Sequence, residues 1–318
     1  MSRRRIRLLI NPSARSGRGW EALGPLLRRV APVLELETAA SRSAAHFQDL
    51  VAQSDAAGLD AVAIAGGDGT VALALNAAPG LEAPLAILPI GSGNDFARHA
   101  GVPGSLARAV HVLCAGRPCP VDVACAAWPG RSLQPTRYCC VASVGLDELA
   151  LRVIHGSRWP RCKALNIYAA LRALWDYRPR HASVEWEGGR FEGEVMFVAV
   201  TNTRSYGGGF MVSPEARLDD GKLDLCIVRR AGRVRLLTQF PRILKGTHRA
   251  MREVILAQSL WVKIDGAEPL PVTLDGELPR ATTPVKLSCE LGAVRILTPA
   301  KATGRGPHPE LAQAAGER

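Results

Sequence analysis

The chain has 318 residues, 47% of them hydrophobic and 22% charged, which describes a globular protein able to bury a core without metals or disulfides. That apolar content excludes disorder over most of its length, and 31 glycines without a triplet period exclude a collagen-like fold. A net charge of +11 favours anionic partners such as phosphates or lipid headgroups, but only motifs can decide among them. Aromatic residues make up 5% of the chain, too few to interleave with the basic residues as base-stacking platforms, so no nucleic-acid partner is expected.

In chain order, the first 125 residues alternate strands and helices. Arg5 to Ile10 reads as a strand ending at Asn11-Pro12 and a loop to Gly19, followed by a helix over Trp20–Val30. Val33–Leu36 is strand-like, Ala44–Gln53 helical, and Ala61–Ala65 a buried strand that runs into a glycine turn with a helix beginning near Thr70. Leu85–Ile90 repeats that plan and ends at Gly91-Ser92-Gly93. The alternation predicts a mostly parallel sheet.

Beyond about Val123 the texture becomes β-rich, with strands over Val184–Trp186, Phe191–Thr201, Lys222–Val228, Glu253–Ile264 and Val272–Leu274. Helices are expected over Leu165–Tyr177 and Arg233–Leu244, with Pro241 limiting the second. Val285–Leu297 is a last strand, or a pair about Gly292. The expected division is 1–123 as a nucleotide-binding domain and 124–300 as a lipid-substrate domain whose final strand can return to the first, with 301–318 a disordered tail.

The longest apolar segment, Ala61–Pro79, is broken by Gly66-Gly67-Asp68-Gly69, short of the roughly 18 uninterrupted apolar residues of a membrane span. Leu8-Leu9-Ile10 after the basic start is too short for a signal peptide, so a cytoplasmic protein is expected. The eight cysteines contain no C-x-x-C pair and read as reduced core thiols. The seven histidines show no ligand spacing.

Three turns carry the chemistry. Missing Cβ atoms in Gly66-Gly67-Asp68-Gly69-Thr70 let backbone N–H groups approach phosphate oxygens, and the following helix adds its partial positive end. Asp68 suits Mg²⁺ between carboxylate and phosphates, or a role with the attacking hydroxyl, although such a tetrad alone is equally a structural turn. In Gly91-Ser92-Gly93-Asn94-Asp95-Phe96-Ala97-Arg98, Ser92 and Asn94 can hydrogen-bond phosphate or ribose, while Asp95 and Arg98 stand at ion-pair spacing. Asp275-Gly276 within Val272–Pro279 is by itself a hairpin turn.

Together these residues resemble the diacylglycerol-kinase catalytic domain, and more closely the soluble bacterial lipid kinases related to sphingosine and ceramide kinases. The resemblance runs over about residues 5–298 and includes Asn11-Pro12, Leu274-Asp275-Gly276-Glu277 and Asp219-Asp220-Gly221-Lys222-Leu223-Asp224. It implies an α/β, Rossmann-like first domain of NAD-kinase and phosphofructokinase type, a β-sandwich second domain and an ATP site between them. By that resemblance Asn11, Thr38, Gly66, Gly67, Asp68, Gly69, Thr70, Ser92, Asn94 and Asp95 serve the nucleotide, Thr38 and Ser92 from neighbouring loops. Asp68 organises the catalytic Mg²⁺, Glu277 is the general base and Asp275 assists it. A structural Mg²⁺ falls on Asp220 and the carbonyls of Arg217 and Lys222, with Asp122 and Asp95 linking it through water. Arg15 or Arg18 supplies positive charge to the transferring phosphoryl group. Ala72 and Leu73 follow Val71 where the family continues Asn-Glu, which removes an amide able to bond the nucleotide.

The implied function is an ATP- and Mg²⁺-dependent lipid kinase with diacylglycerol as the default acceptor. Phosphatidylglycerol, a sphingoid base, an NAD kinase and a non-catalytic regulator are the alternatives, and a homodimer is left open. Such an enzyme must meet a membrane. Arg229–Arg252 carries eight basic residues and no acid, with Leu236, Leu237, Phe240, Ile243 and Leu244 at helical spacing. It reads as a peripheral element for anionic headgroups, or else as a charged face over a packed helix.

Overall fold

The computed structural model describes residues 3–12, 18–55, 57–130, 134–160 and 162–300. Arg15 and the expected tail over 301–318 lie outside these residues, as does the side chain of Arg18. The chain divides into two compact units: Met1–Val121 with the residues from Gly292 onward, and Asp122–Leu291.

In the first unit the strands β1 (Arg4–Ile10), β2 (Leu34–Ala40), β3 (Ala61–Gly66) and β4 (Leu85–Pro89) alternate with the helices α1 (Arg18–Val30), α2 (Ala44–Asp55) and α3 (Asp68–Ala77). β1 pairs in parallel with both β2 and β3, and β3 with β4. All six residues of β3 are buried, as expected of a parallel strand covered on both faces. Its sequence, Ala-Val-Ala-Ile-Ala-Gly, therefore shows no period-2 alternation. Two further helices follow, α4 (Asp95–His99) and α5 (Leu106–Ala115). The first is the helix start expected after the second glycine turn, a single turn long; α5 was not expected, because it lies in a Val/Ala-rich stretch without a clear start signal.

The second unit contains β5 (Arg117–Ala127, which begins in the first), β6 (Thr136–Tyr138), β7 (Val141–Gly145), α6 (Asp147–Gly156), α7 (Lys163–Asp176), β8 (Arg180–Trp186) and β9 (Gly189–Thr201). It continues with β10 (Leu223–Arg229), α8 (Arg233–Lys245), β11 (Val254–Ser259), β12 (Trp261–Gly266), β13 (Pro271–Leu274), β14 (Glu277–Thr282) and β15 (Val285–Thr298). Strands β14, β13, β7, β9, β8, β12 and β15 are neighbours in that order, and β9 also pairs with β10, which pairs with β11. These pairings are antiparallel, as in a β-sandwich. β15 is one strand across Gly292, and its second half pairs in parallel with β4 of the first unit's sheet, at Ile296 and Leu85.

Side-chain alternation along β9 and β10 sends neighbouring residues into two different cores. Val198 and Val200 of β9, with Leu225 and Ile227 of β10, pack among Val144, Val262, Ile264 and Leu287. Their neighbours Phe197, Ala199, Cys226 and Val228 face Leu174, Tyr177, Leu236 and Phe240 from α7 and α8. Both faces of these strands are thus covered, one by sheet and one by helices.

Three expectations are corrected. The strand expected over Glu253–Ile264 is two strands, interrupted at Leu260. α8 runs through Pro241 to Lys245 without breaking. Its apolar side is not a surface: Leu236 and Phe240 are buried, and Leu237, Ile243 and Leu244 pack on the same core. Three of the eight basic residues, Arg230, Arg235 and Arg249, pair with Glu194, Glu253 and Glu215. Those acids lie outside Arg229–Arg252, so a window on the sequence misses them.

Candidate active site

Strand β3 delivers Gly66 and Gly67 to the start of α3, which begins at Asp68 with Gly67 at its cap position. The helix thus starts earlier than expected, and Gly69 and Thr70 belong to its first turn. At that position backbone N–H groups have no partner within the helix and are directed outward, which is the anion-binding property of a helix start. Thr70 is buried; its N–H returns to the Gly67 carbonyl at 2.9 Å and its hydroxyl accepts from Asn11 Nδ2 at 3.1 Å. Asn11, at the end of β1, therefore braces the turn.

The second glycine turn lies against the first. A Cβ on Gly91 would stand 2.5 Å from Gly67 Cα and 2.7 Å from Asn94 Oδ1, so only glycine allows this approach. Asn94 adopts the left-handed conformation, φ 53°, and its amide closes its own turn, accepting from Gly91 N at 3.0 Å and donating to Gly91 O at 2.9 Å. Its side chain is a turn-former here. Ser92 is exposed at the tip of the same turn.

Asp68 links the two turns. Its carboxylate oxygens accept the N–H groups of Asp95 at 3.1 Å and Phe96 at 2.9 Å, capping α4 from a neighbouring element. Asp95 is buried and pairs with Arg98 at 2.6 Å, as their spacing predicted. Thr38 does not lie in a loop: it is an exposed residue of β2, opposite Leu8. β2 runs four residues beyond its expected end because its pairing with β1 continues.

In the second unit, the β13–β14 hairpin carries Asp275 and Glu277. Asp275 sits at φ 49°, and its carboxylate accepts three backbone N–H groups: Cys139 at 2.6 Å, Cys140 at 2.7 Å and Val141 at 3.1 Å. Its own N–H donates to the Val141 carbonyl at 2.8 Å. Burial raises its pKa, and the three N–H donors oppose that rise. Asp275 thus fixes the hairpin, while Glu277, the first residue of β14, is exposed and available.

Beneath the hairpin lies a buried network that sequence reasoning missed. Ser143 donates to Asp147 at 2.7 Å and meets Thr273 at 2.5 Å, while the Tyr206 hydroxyl donates to the other Asp147 oxygen at 3.2 Å. Burial raises the Asp147 pKa against the pull of these three hydroxyls, and burial with the neighbouring Asp147 carboxylate raises that of Tyr206. Its one sequence signal is Gly145-Leu146-Asp147, a strand-to-helix turn on the plan of the two glycine turns, whose partners lie up to 130 residues away.

The loop before β10 holds the residues expected at a structural metal. Asp220 accepts from Lys222 N at 3.1 Å, Asp122 Oδ2 from Gly221 N at 2.7 Å, and Arg217 is turned onto Asp219 at 2.9 Å. Among the described residues no group of three or more His, Cys, Asp or Glu could hold a metal ion. One carboxylate with main-chain carbonyls needs no such group, and the chemistry of the corner suits a hard cation. Asp224 is buried beside this loop with Oδ2 lacking a partner, and burial, reinforced by the Asp220 charge, pushes its pKa up to about 7.

Residues 5–126 match the model of the diacylglycerol kinase catalytic domain, and residues 140–298 match that of the YegS C-terminal NAD kinase beta sandwich-like domain. A diacylglycerol kinase of Mycobacterium tuberculosis strain ATCC 25618 / H37Rv is 30% identical over 305 residues, covering 93% of this chain and 95% of that one. The chain belongs to the diacylglycerol kinase family. It is a lipid kinase, a phosphotransferase. A diacylglycerol kinase of Bacillus subtilis strain 168 is 26% identical over 86% of this chain and 90% of its own length. A crystal structure of a diacylglycerol kinase from Bacillus anthracis strain Sterne superposes with a TM-score of 0.70 at 21% identity, covering 94% of this chain and 98% of that one, so the fold is shared.

Proposed function

We propose that this lipid kinase transfers the γ-phosphoryl group of ATP to a lipid hydroxyl, with diacylglycerol as acceptor, at a membrane surface. The observation that carries the nucleotide half is the backbone-to-backbone approach of Gly67 and Gly91, tied by Asp68. It builds a small-residue floor at a helix start, where main-chain N–H groups can bind phosphate oxygens. The acceptor half follows the names of the relatives, two of which are diacylglycerol kinases.

Phosphoryl transfer requires in-line positioning and neutralisation of charge rather than covalent participation by the protein. Gly67 and the first turn of α3 hold the phosphates, and Asn11 keeps Thr70 and that turn in place. Asp68, placed where the two glycine turns meet, would hold the Mg²⁺ that travels with ATP. When bound, that ion neutralises charge on the phosphate oxygens. A second, structural Mg²⁺ would be held by Asp220 and the carbonyls of Arg217 and Lys222. Glu277 takes the proton from the attacking hydroxyl as the oxygen–phosphorus bond forms. Asp275 acts through the hairpin, holding Glu277 in position.

The test is ATP-dependent labelling of diacylglycerol, phosphatidylglycerol and sphingosine in mixed micelles, beside NAD, with Asp68→Ala and Glu277→Ala as controls. Labelled diacylglycerol from the wild type and from neither variant is the expected result. Product from another lipid would replace the acceptor, and product from NAD would overturn the lipid reading.

A further inference from the structure

A kinase whose acceptor resides in a bilayer must present some face to it, and α8 buries its own apolar side. Among the described residues every exposed Trp or Tyr falls elsewhere, on α7 and the connection before it: Trp159 is 70% exposed, Tyr168 55% and Trp175 51%. Tyr168 and Trp175 are seven residues apart, two helical turns, so they share one face of α7. That face carries Ala164, Tyr168, Arg172 and Trp175, all exposed, while Leu165, Ala169, Ala173 and Leu174 are buried on the other side. The first turn of α8 joins the same face: Arg233 lies over the Trp175 ring at 6.0 Å, and Val234 beside it is 69% exposed.

The chain segments that carry these rings are predominantly basic. Arg158, Lys163, Arg178 and Arg233 are exposed, and the only acid between residues 156 and 180 is Asp176, which is paired with Arg172 at 2.5 Å. A soluble surface gains nothing by holding three large aromatic side chains in water. Trp and Tyr, however, are the residues that settle at the boundary between headgroups and acyl chains, and Arg and Lys around them attract anionic headgroups. An acidic protein partner could meet the charges, but would ordinarily be matched by a contoured apolar pocket rather than by aromatic tips spread along a single helix.

We propose that the face formed by Trp159, Tyr168, Trp175 and Val234, framed by Arg158, Lys163 and Arg233, seats the protein on an anionic lipid bilayer. This inference rests on the lipid-kinase reading and names the surface through which that kinase meets its substrate's membrane. α7 lies flat on the headgroups, with the aromatic rings inserted and the basic side chains beside the phosphates. None of these residues belongs to the proposed catalytic set.

The test uses the full chain and sedimentation with vesicles of phosphatidylcholine alone or with phosphatidylglycerol added. The wild type is expected to sediment with the mixed vesicles and not with phosphatidylcholine alone. The W159A/Y168A/W175A variant should lose about tenfold or more of that partitioning, with an unchanged melting temperature because all three side chains are exposed. An R158E/K163E variant should lose the preference for the anionic lipid while retaining the aromatic residues. Partitioning of the triple variant equal to the wild type, or no sedimentation of the wild type with either vesicle, would overturn the proposal. So would a wild-type dimer that the triple variant converts to a monomer without a change in vesicle binding, since the face would then be covered by a second copy. Turnover of the triple variant in detergent micelles should equal the wild type's; absence of lipid turnover by the wild type in micelles would strike the kinase reading, whatever the vesicles show.

Discussion

The two halves of the proposed chemistry are held in place by different means. In the first unit the turns at Gly67 and Gly91 meet backbone to backbone, where what matters is what those residues lack, and a single carboxylate, Asp68, ties them. In the second, the hairpin that carries Glu277 is held by side chains: Asp275 gathers three N–H groups from residues more than 130 positions away, and Thr273 is tied to Ser143 and through it to Asp147. Asp68 and Asp275 still share one device, a carboxylate whose first task is to cap main-chain donors. An acidic residue in a family motif is therefore not automatically a ligand or a base. Its hydrogen bonds decide how much of it faces the chemistry.

The largest effect expected from this contrast is at Glu277, where function and structure are separable. Glu277→Gln should lower turnover by about 10²–10⁴-fold while leaving the melting temperature unchanged, because the side chain is exposed. A stability loss equal to that of an Asp275 variant would show that the two residues do not divide the labour. Asp275→Ala should do the opposite first: three buried donors lose their acceptor, and denaturant unfolding should report a loss of about 3 kcal/mol or more. Asp275→Asn, which retains one acceptor oxygen, should fall between.

On the other side of the comparison, Gly91→Ala brings a methyl group to 2.5 Å from Gly67 Cα and should cost about 1–3 kcal/mol in unfolding experiments, together with a loss of ATP affinity in titration calorimetry. Gly80→Ala, whose added carbon meets nothing within 4 Å, should be silent in both measurements. The smallest effect is expected remote from either turn. His248 is buried with its Nε2 2.9 Å from the Val212 carbonyl, and burial holds its pKa below the ordinary 6.5. The unfolded chain therefore takes up a proton as pH falls through 6.5 while the folded chain resists it, so stability present above that pH is lost below it. Urea midpoints at pH 7.5 and pH 5 should show a drop that His248→Gln reduces.

Much of this was legible beforehand, for local reasons. The strand–glycine–helix plan at Gly66 and Gly91 needs only neighbouring residues, and so does the Asp95–Arg98 pair. What escaped was non-local. Thr38 falls in a strand because β1 continues alongside it. The Glu253–Ile264 stretch breaks at Leu260, because β11 pairs with β10 and β12 with β8 and β15. The basic run around α8 looked unopposed because Glu194, Glu215 and Glu253 come from other parts of the chain. The buried network of Ser143, Asp147, Tyr206 and Thr273 is spread over 130 residues and follows no spacing rule.

By itself the sequence determined the alternating strands and helices of the first unit, the β-rich second unit, the two glycine turns and the acidic hairpin. Periodicity, glycine and turn chemistry act between residues a few positions apart, within reach of inspection. Tertiary structure alone decided which side of α8 is buried, which aromatic residues remain in water, and that Asp68 and Asp275 spend their oxygens on backbone N–H groups. Burial and hydrogen-bond satisfaction are settled by whatever segment packs against a residue, and that segment can lie anywhere in the chain.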